Sequence, residues 1–212
     1  MFDYSIAHWV TFFTAAVLLN LSPGPDMAFI LAQTAKRGVR SGFSAMFGIW
    51  TGAFIHVIFA ALGLSAILAT SALAFTAVKW VGAAYLIWLG IQALCSKGAH
   101  LSVKDQTSPK SLKKIFQQGV LVAVLNPKVA IFFLAFLPQF VDAGAGPVSA
   151  QLFLHGSLII MVAAFVEPPL VIVGGKITGY LNNNTHISRW MDRGLGALFM
   201  WLGIKLATSN RI

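Results

Sequence analysis

Long apolar runs separated by short polar or charged stretches make up nearly all of this chain. The runs cover about residues 8–35, 43–69, 72–95, 115–137, 149–173 and 192–208, and the last can be extended back through Trp190. A helix needs roughly 20 apolar residues to cross a bilayer. The pattern therefore predicts an all-α polytopic membrane protein with six transmembrane helices. Two runs carry an interruption. In the first, Leu21-Ser22-Pro23-Gly24-Pro25-Asp26 places two prolines, a glycine and a carboxylate near the middle. Proline removes a backbone donor and clashes with the preceding turn, so the helix should stop near Leu21 and restart near Pro25. In the fourth, Asn126-Pro127 reads as the N-cap and first residue of a restarted helix. Backbone groups freed inside lipid are tolerated only where protein or a watery cavity surrounds them. A broken helix with a charge at mid-depth is the usual form of a transporter's binding site.

The two halves of the chain resemble each other. Ala16-Val17-Leu18-Leu19-Asn20-Leu21-Ser22-Pro23 matches Val120-Leu121-Val122-Ala123-Val124-Leu125-Asn126-Pro127 at an offset of 104, and Trp88-Leu89-Gly90-Ile91 recurs as Trp201-Leu202-Gly203-Ile204 at 113. This divides one transporter domain into a repeat over about 1–95, a lysine-rich loop over about 96–114, and a repeat over about 115–212. Three spans per repeat is odd, so the second copy is expected to be inverted in the membrane. Pro23 lies 15 residues beyond His8, and Pro127 lies 13 beyond Lys114. At 1.5 Å per residue, both breaks fall roughly 20 Å into oppositely directed helices.

Composition agrees with the pattern. Of 212 residues, 58% are hydrophobic and 10% charged, against about 25% charged in soluble domains; the mean hydropathy is +0.79. The net charge of +9 does not point to nucleic acid, because the cations lie in loops and serve as topology signals. The first, third and fifth loops carry eleven Lys/Arg, and the opposite side three. Cytoplasmic loops hold such an excess, so both termini should lie on the outer, periplasmic side. The start, Met1-Phe2-Asp3-Tyr4, lacks the cationic region of a cleaved signal peptide. A lone Cys95 gives no disulfide framework. No nucleotide-binding loop, structural-zinc spacing or Gly-x-Ser-x-Gly elbow occurs, so neither an enzyme, a metal site nor a cofactor is expected.

Four titratable residues within the apolar runs are the candidates for chemistry: Asp26, Lys128, Glu167 and His56. Asp26 suits the first turn of a restarted helix, yet a formal charge at mid-depth asks for a further purpose. Lys128 faces the positive end of its helix, so it needs a negative partner: Asp26, Glu167 or a substrate carboxylate. Glu167 precedes Pro168-Pro169, which should interrupt its run; a structural salt bridge would also explain it. His56 shares a face with Ser44, Gly48, Gly52 and Ala60, where small residues permit close packing and a hydrogen-bonded packing histidine is the ordinary reading. An offset of 111 relates His56 to Glu167, which makes them candidate symmetry counterparts. Asn20 is read as satisfying carbonyls freed at the first break.

Ser22-Pro23-Gly24-Pro25-Asp26-Met27, the Gly48/Gly52/His56 helix, Gly82-Ala83-Ala84-Tyr85-Leu86-Ile87-Trp88-Leu89-Gly90 and Leu125-Asn126-Pro127-Lys128-Val129-Ala130-Ile131-Phe132-Phe133 together resemble the lysine exporter (LysE/RhtB) family of amino-acid efflux permeases, most closely its homoserine/threonine/leucine branch. The resemblance implies proton-driven efflux of amino acids or small derivatives across a bacterial inner membrane. A zwitterion would lie between the breaks at Pro23, Gly24, Pro25 and Asp26 on one side and Asn126, Pro127 and Lys128 on the other. Asp26, Glu167 and His56 are the proton-coupling candidates. The expected partners are an amino acid, protons and the lipid bilayer, and a homo-oligomer is compatible with the sequence. The alternative reading is an exporter or channel for small cations that uses the intramembrane carboxylates.

Overall fold

The computed structural model describes residues 4–21, 24–66, 72–95, 111–142, 144–174 and 185–208. The helices among them are α1 (Ile6–Leu21), α2 (Pro25–Arg37), α3 (Val39–Phe59), α4 (Ala72–Leu94), α5 (Leu112–Val124), α6 (Pro127–Phe136), α7 (Val148–Ile172) and α8 (Thr185–Thr208). A π-helical turn (Ala60–Leu64) extends α3, and a 3₁₀ turn (Leu137–Phe140) extends α6. No strand occurs among the described residues.

The breaks fall where proline chemistry puts them. α1 ends at Leu21 and α2 begins at Pro25; α5 ends at Val124 and α6 begins at Pro127. Pro suits a first helical position because its missing N–H would have no partner there anyway. α1 and α2 meet at a bend of 49° and together are long and apolar enough to span a membrane, as are Val39–Leu64 and Val148–Ile172 individually. The first loop is shorter than expected: Gly38 alone separates α2 from α3, at φ 83°, a left-handed value that glycine adopts without penalty.

Pro168 and Pro169 do not end their helix, contrary to expectation; α7 runs through both to Ile172. Their fixed φ is helical, and helical prolines inside membranes are tolerated where neighbouring helices satisfy the freed backbone groups.

Packing follows small residues. α3 lies parallel to α5, with Ser44 Oγ donating to the Leu112 carbonyl at one end and the His56 ring meeting the Ala123 carbonyl near the other. Between them, a Cβ on Gly52 would come 2.7 Å from the Val120 carbonyl oxygen, and one on Gly119 would come 2.6 Å from that of Ala45. α4 and α8 form a second glycine seam, antiparallel: Gly90 faces Gly196, and Gly203 faces Ala83. α1 and α7 run parallel and are joined by polar side chains, from Tyr4 with Gln151 to Asn20 with the Ile159 carbonyl. Two apolar clusters result. One is built around Phe12, Phe132, Phe136, Leu152 and Phe199; the other is built around Ile30, Ala45, Met46, Ile49, Ile115 and Val171.

Candidate functional site

A cavity opens where these clusters meet and both broken helices restart. The centres of water-sized molecules have about 100 Å³ to move in, which is room for several waters. Its wall is mostly apolar: Leu19, Met27, Ile49, Phe132, Ile159 and others. Five polar residues face it, namely Asn20, Asp26, Trp50, Asn126 and Glu167.

The starts of α2 and α6 bring in the first pair. Asp26 lies in the first turn of α2, behind the extended N-cap Gly24, which has no capping side chain. The Asn126 carbonyl accepts from Val129 and Ala130 N–H and so begins α6. Its side chain is thereby left to cross to the other half of the chain, where Nδ2 donates to Asp26 Oδ1 at 3.0 Å. Both breaks thus face one space. The second pair joins α3 to α7: Trp50 Nε1 donates to Glu167 Oε2 at 2.7 Å. Two carboxylates therefore face one small cavity, one accepting from Asn126 and the other from Trp50. In surroundings of low dielectric they repel each other, and a cation between them relieves that repulsion.

Of the expected site residues, the structure brings Gly24, Pro25, Asp26, Asn126 and Glu167 to the cavity wall. Pro23 lies outside the described residues. Pro127 and Lys128 stand in the first turn of α6, between the lining residues Asn126 and Val129, but their side chains lie outside the described set, as does the expected approach of Asp26 to Lys128. His56 stands elsewhere: its ring meets the Ala123 carbonyl at 3.2 Å and stacks on Phe133. With Ser44, Gly48 and Gly52 it forms the stripe facing α5, so it and Glu167 do not share the cavity. Asn20 bonds the Ala16 and Ile159 carbonyls, which ties α1 to α7.

Sequence reasoning missed Trp50. Its one signal is position: it lies between Gly48 and Gly52, which face α5, and so on another side of α3. A second polar cluster, Tyr4, His8, Gln151 and His155, was also missed. Nothing in the sequence spacing marks it.

Comparison with known proteins places the chain in a family. The family described as LysE type translocator matches residues 17–210. A homoserine/homoserine lactone efflux protein of Salmonella typhimurium is 30% identical over 202 residues, covering 95% of this chain and 97% of its own. A leucine efflux protein of the same organism is 26% identical over 209 residues, covering 97% of each. A membrane protein of Vibrio cholerae without an assigned function is 31% identical over 202 residues, covering 95% and 97%. No solved structure matches. With the apolar helices, the paired breaks and a match across nearly the whole sequence, the chain belongs to the LysE type translocator family, whose members are membrane transporters and not enzymes.

Proposed function

We propose that the chain exports amino acids or small amino-acid derivatives across the bacterial inner membrane in exchange for protons. The observation that carries this reading is the pair of carboxylates, Asp26 and Glu167, facing one mostly apolar cavity at the restarts of two broken helices. A zwitterion matches that arrangement. Its ammonium group goes between the carboxylates, its carboxylate goes to the N-terminal ends of α2 and α6 with Lys128, and its side chain lies against Ile49, Phe132 and Ile159. A proton replaces the ammonium group on the return.

The architecture proposed with it is six spans in two inverted three-helix repeats, with both termini periplasmic. Helix direction supports this. Spans that alternate across the membrane make the second parallel to the fourth and the first parallel to the fifth, as α3 is to α5 and α1 is to α7. They make the third antiparallel to the sixth, as α4 is to α8.

The test is counterflow in liposomes with a panel of radiolabelled amino acids and an internal pH indicator. One or more neutral amino acids should exchange and carry a stoichiometric proton signal. Uptake of small inorganic cations with no amino-acid exchange would replace this reading with a cation pathway.

A further inference from the structure

The polar cluster at the start of α1 and α7 lies apart from the cavity and is joined to it by an apolar column of rings. Phe132, a cavity residue, stacks on Phe136 with centroids 4.5 Å apart, and Phe136 meets Phe140 at 4.7 Å. Phe140 then meets His8 at 5.4 Å and His155 at 6.0 Å. Phe12 closes the column from α1, 5.2 Å from Phe140 and 4.9 Å from His155. All four phenylalanines are buried, so the column offers water no polar partner. At its far end His8 and His155 face each other, Nε2 to Nε2, at 2.8 Å, and Tyr4 donates to Gln151 Oε1 at 2.7 Å.

The proton arithmetic of this pair is tight. His155 Nδ1 lies 2.8 Å from the Gln151 carbonyl. A carbonyl only accepts, so Nδ1 carries a hydrogen and neutral His155 offers a bare Nε2. The proton between the rings therefore belongs to His8. If both rings are protonated, every ring nitrogen carries a hydrogen, and two cations stand N–H to N–H. The bond between α1 and α7 is then lost and replaced by repulsion.

We propose that His8 and His155 are a proton-operated latch, which holds the aromatic column shut at the end of the molecule where α1 and α7 begin and releases it on acidification. Among the described residues, the other titratable groups at this cluster are Tyr4 and Asp142. The Asp142 backbone bonds the Gln151 side chain through both N–H and C=O, while its carboxylate accepts from Gly144 N–H. Neither tyrosine nor aspartate ordinarily titrates between about pH 5 and 8, whereas imidazole does. The latch therefore answers to the imidazoles.

The test uses distance and needs no cargo, so its failure is separate from a failure of the transport assay. Spin labels are placed on cysteines at the exposed positions Ala7 and Phe153 in a Cys95→Ser background, and the distance distribution is read in liposomes at about pH 7.5 and about pH 4, because the first proton taken up by the pair leaves the bond in place and only the second breaks it. Acidification should raise the population of a longer α1–α7 distance several-fold. His8→Gln and His155→Gln should each abolish that response, since glutamine bonds without titrating. If the buried His155→Gln does not fold, the half-buried His8→Gln decides. A parent distribution unmoved by pH, or an equal response in the variants, overturns the latch.

Discussion

Asp26 and Asn126 lie one hundred residues apart in the chain and 3.0 Å apart in space. This hydrogen bond ties the restart of one broken helix to that of the other. It uses the side chain that would otherwise cap α6, so the arrangement serves the cavity at the expense of the local helix start.

The pair yields the first prediction. Asp26→Asn keeps the shape and removes the charge; export should fall at least about tenfold, the effect of some 1.4 kcal/mol, while membrane abundance holds. Asp26→Asn combined with Asn126→Asp restores one carboxylate and one amide across the same gap. The exchanged pair should match the parent in abundance and recover part of the export. Near-normal export from Asp26→Asn alone, at equal protein level, would leave Asp26 as architecture.

Trp50→Phe keeps an aromatic ring but removes the donor to Glu167. A hydrogen bond to a charged group contributes about 1.5–3 kcal/mol, so unfolding in mild detergent should occur more readily by that order. Adding Glu167→Gln removes the charge left without its donor, and the double variant should lose less than Trp50→Phe alone. Additive losses in this cycle would show that the two side chains are not coupled.

The breaks were legible in the sequence because proline acts locally: losing an N–H and clashing with the preceding turn need no knowledge of tertiary structure. The same rule misled at Pro168-Pro169, where α7 continues through both and tertiary surroundings outweigh the local penalty. The facing stripe of Ser44, Gly48, Gly52 and His56 was legible from its period of four, though its partner α5 was not. Trp50 was invisible, since its bond to Glu167 spans 117 residues and depends on how α3 crosses α7. His8 and His155, 147 residues apart, were hidden for the same reason.

The seam between α3 and α5 should resist any added side chain. Gly119→Ala places a Cβ 2.6 Å from the Ala45 carbonyl oxygen, and overpacking of this kind costs about 1–3 kcal/mol. Gly63→Ala meets nothing within 4 Å and should leave thermal stability unchanged or slightly raised, because Ala is the better helix former. Equal melting temperatures for the two variants would contradict the close approach.

Tyr4 precedes α1, and its phenol is held above the usual tyrosine range, first by burial and second by the negative charge of Asp142. A pKa raised in the folded state means that its contribution to stability is complete below about pH 10 and is lost as pH climbs through the raised value. Alkaline unfolding should therefore include a component that Tyr4→Phe removes, beside a pH-independent loss of about 0.5–1.5 kcal/mol for the Tyr4–Gln151 hydrogen bond. An alkaline profile identical in both would exclude it.

Orientation is open to a direct check. In a Cys95→Ser background, Thr107→Cys in the basic loop should resist an impermeant thiol reagent applied to cells whose outer membrane has been permeabilised. Ready labelling there would reverse the topology inferred from the loop charges.

The glycine seams determine which helices travel together. Where backbone comes this close to backbone, as between α3 and α5 or α4 and α8, little side-chain freedom is left to absorb a slide, so each pair is expected to move as a single plank. α1 and α7 touch through phenol, amide and imidazole groups, which can exchange partners with one another or with water. A rocking motion is therefore expected to have its slip plane between α1 and α7, and a bulky residue in either glycine seam to split a plank before it jams the motion.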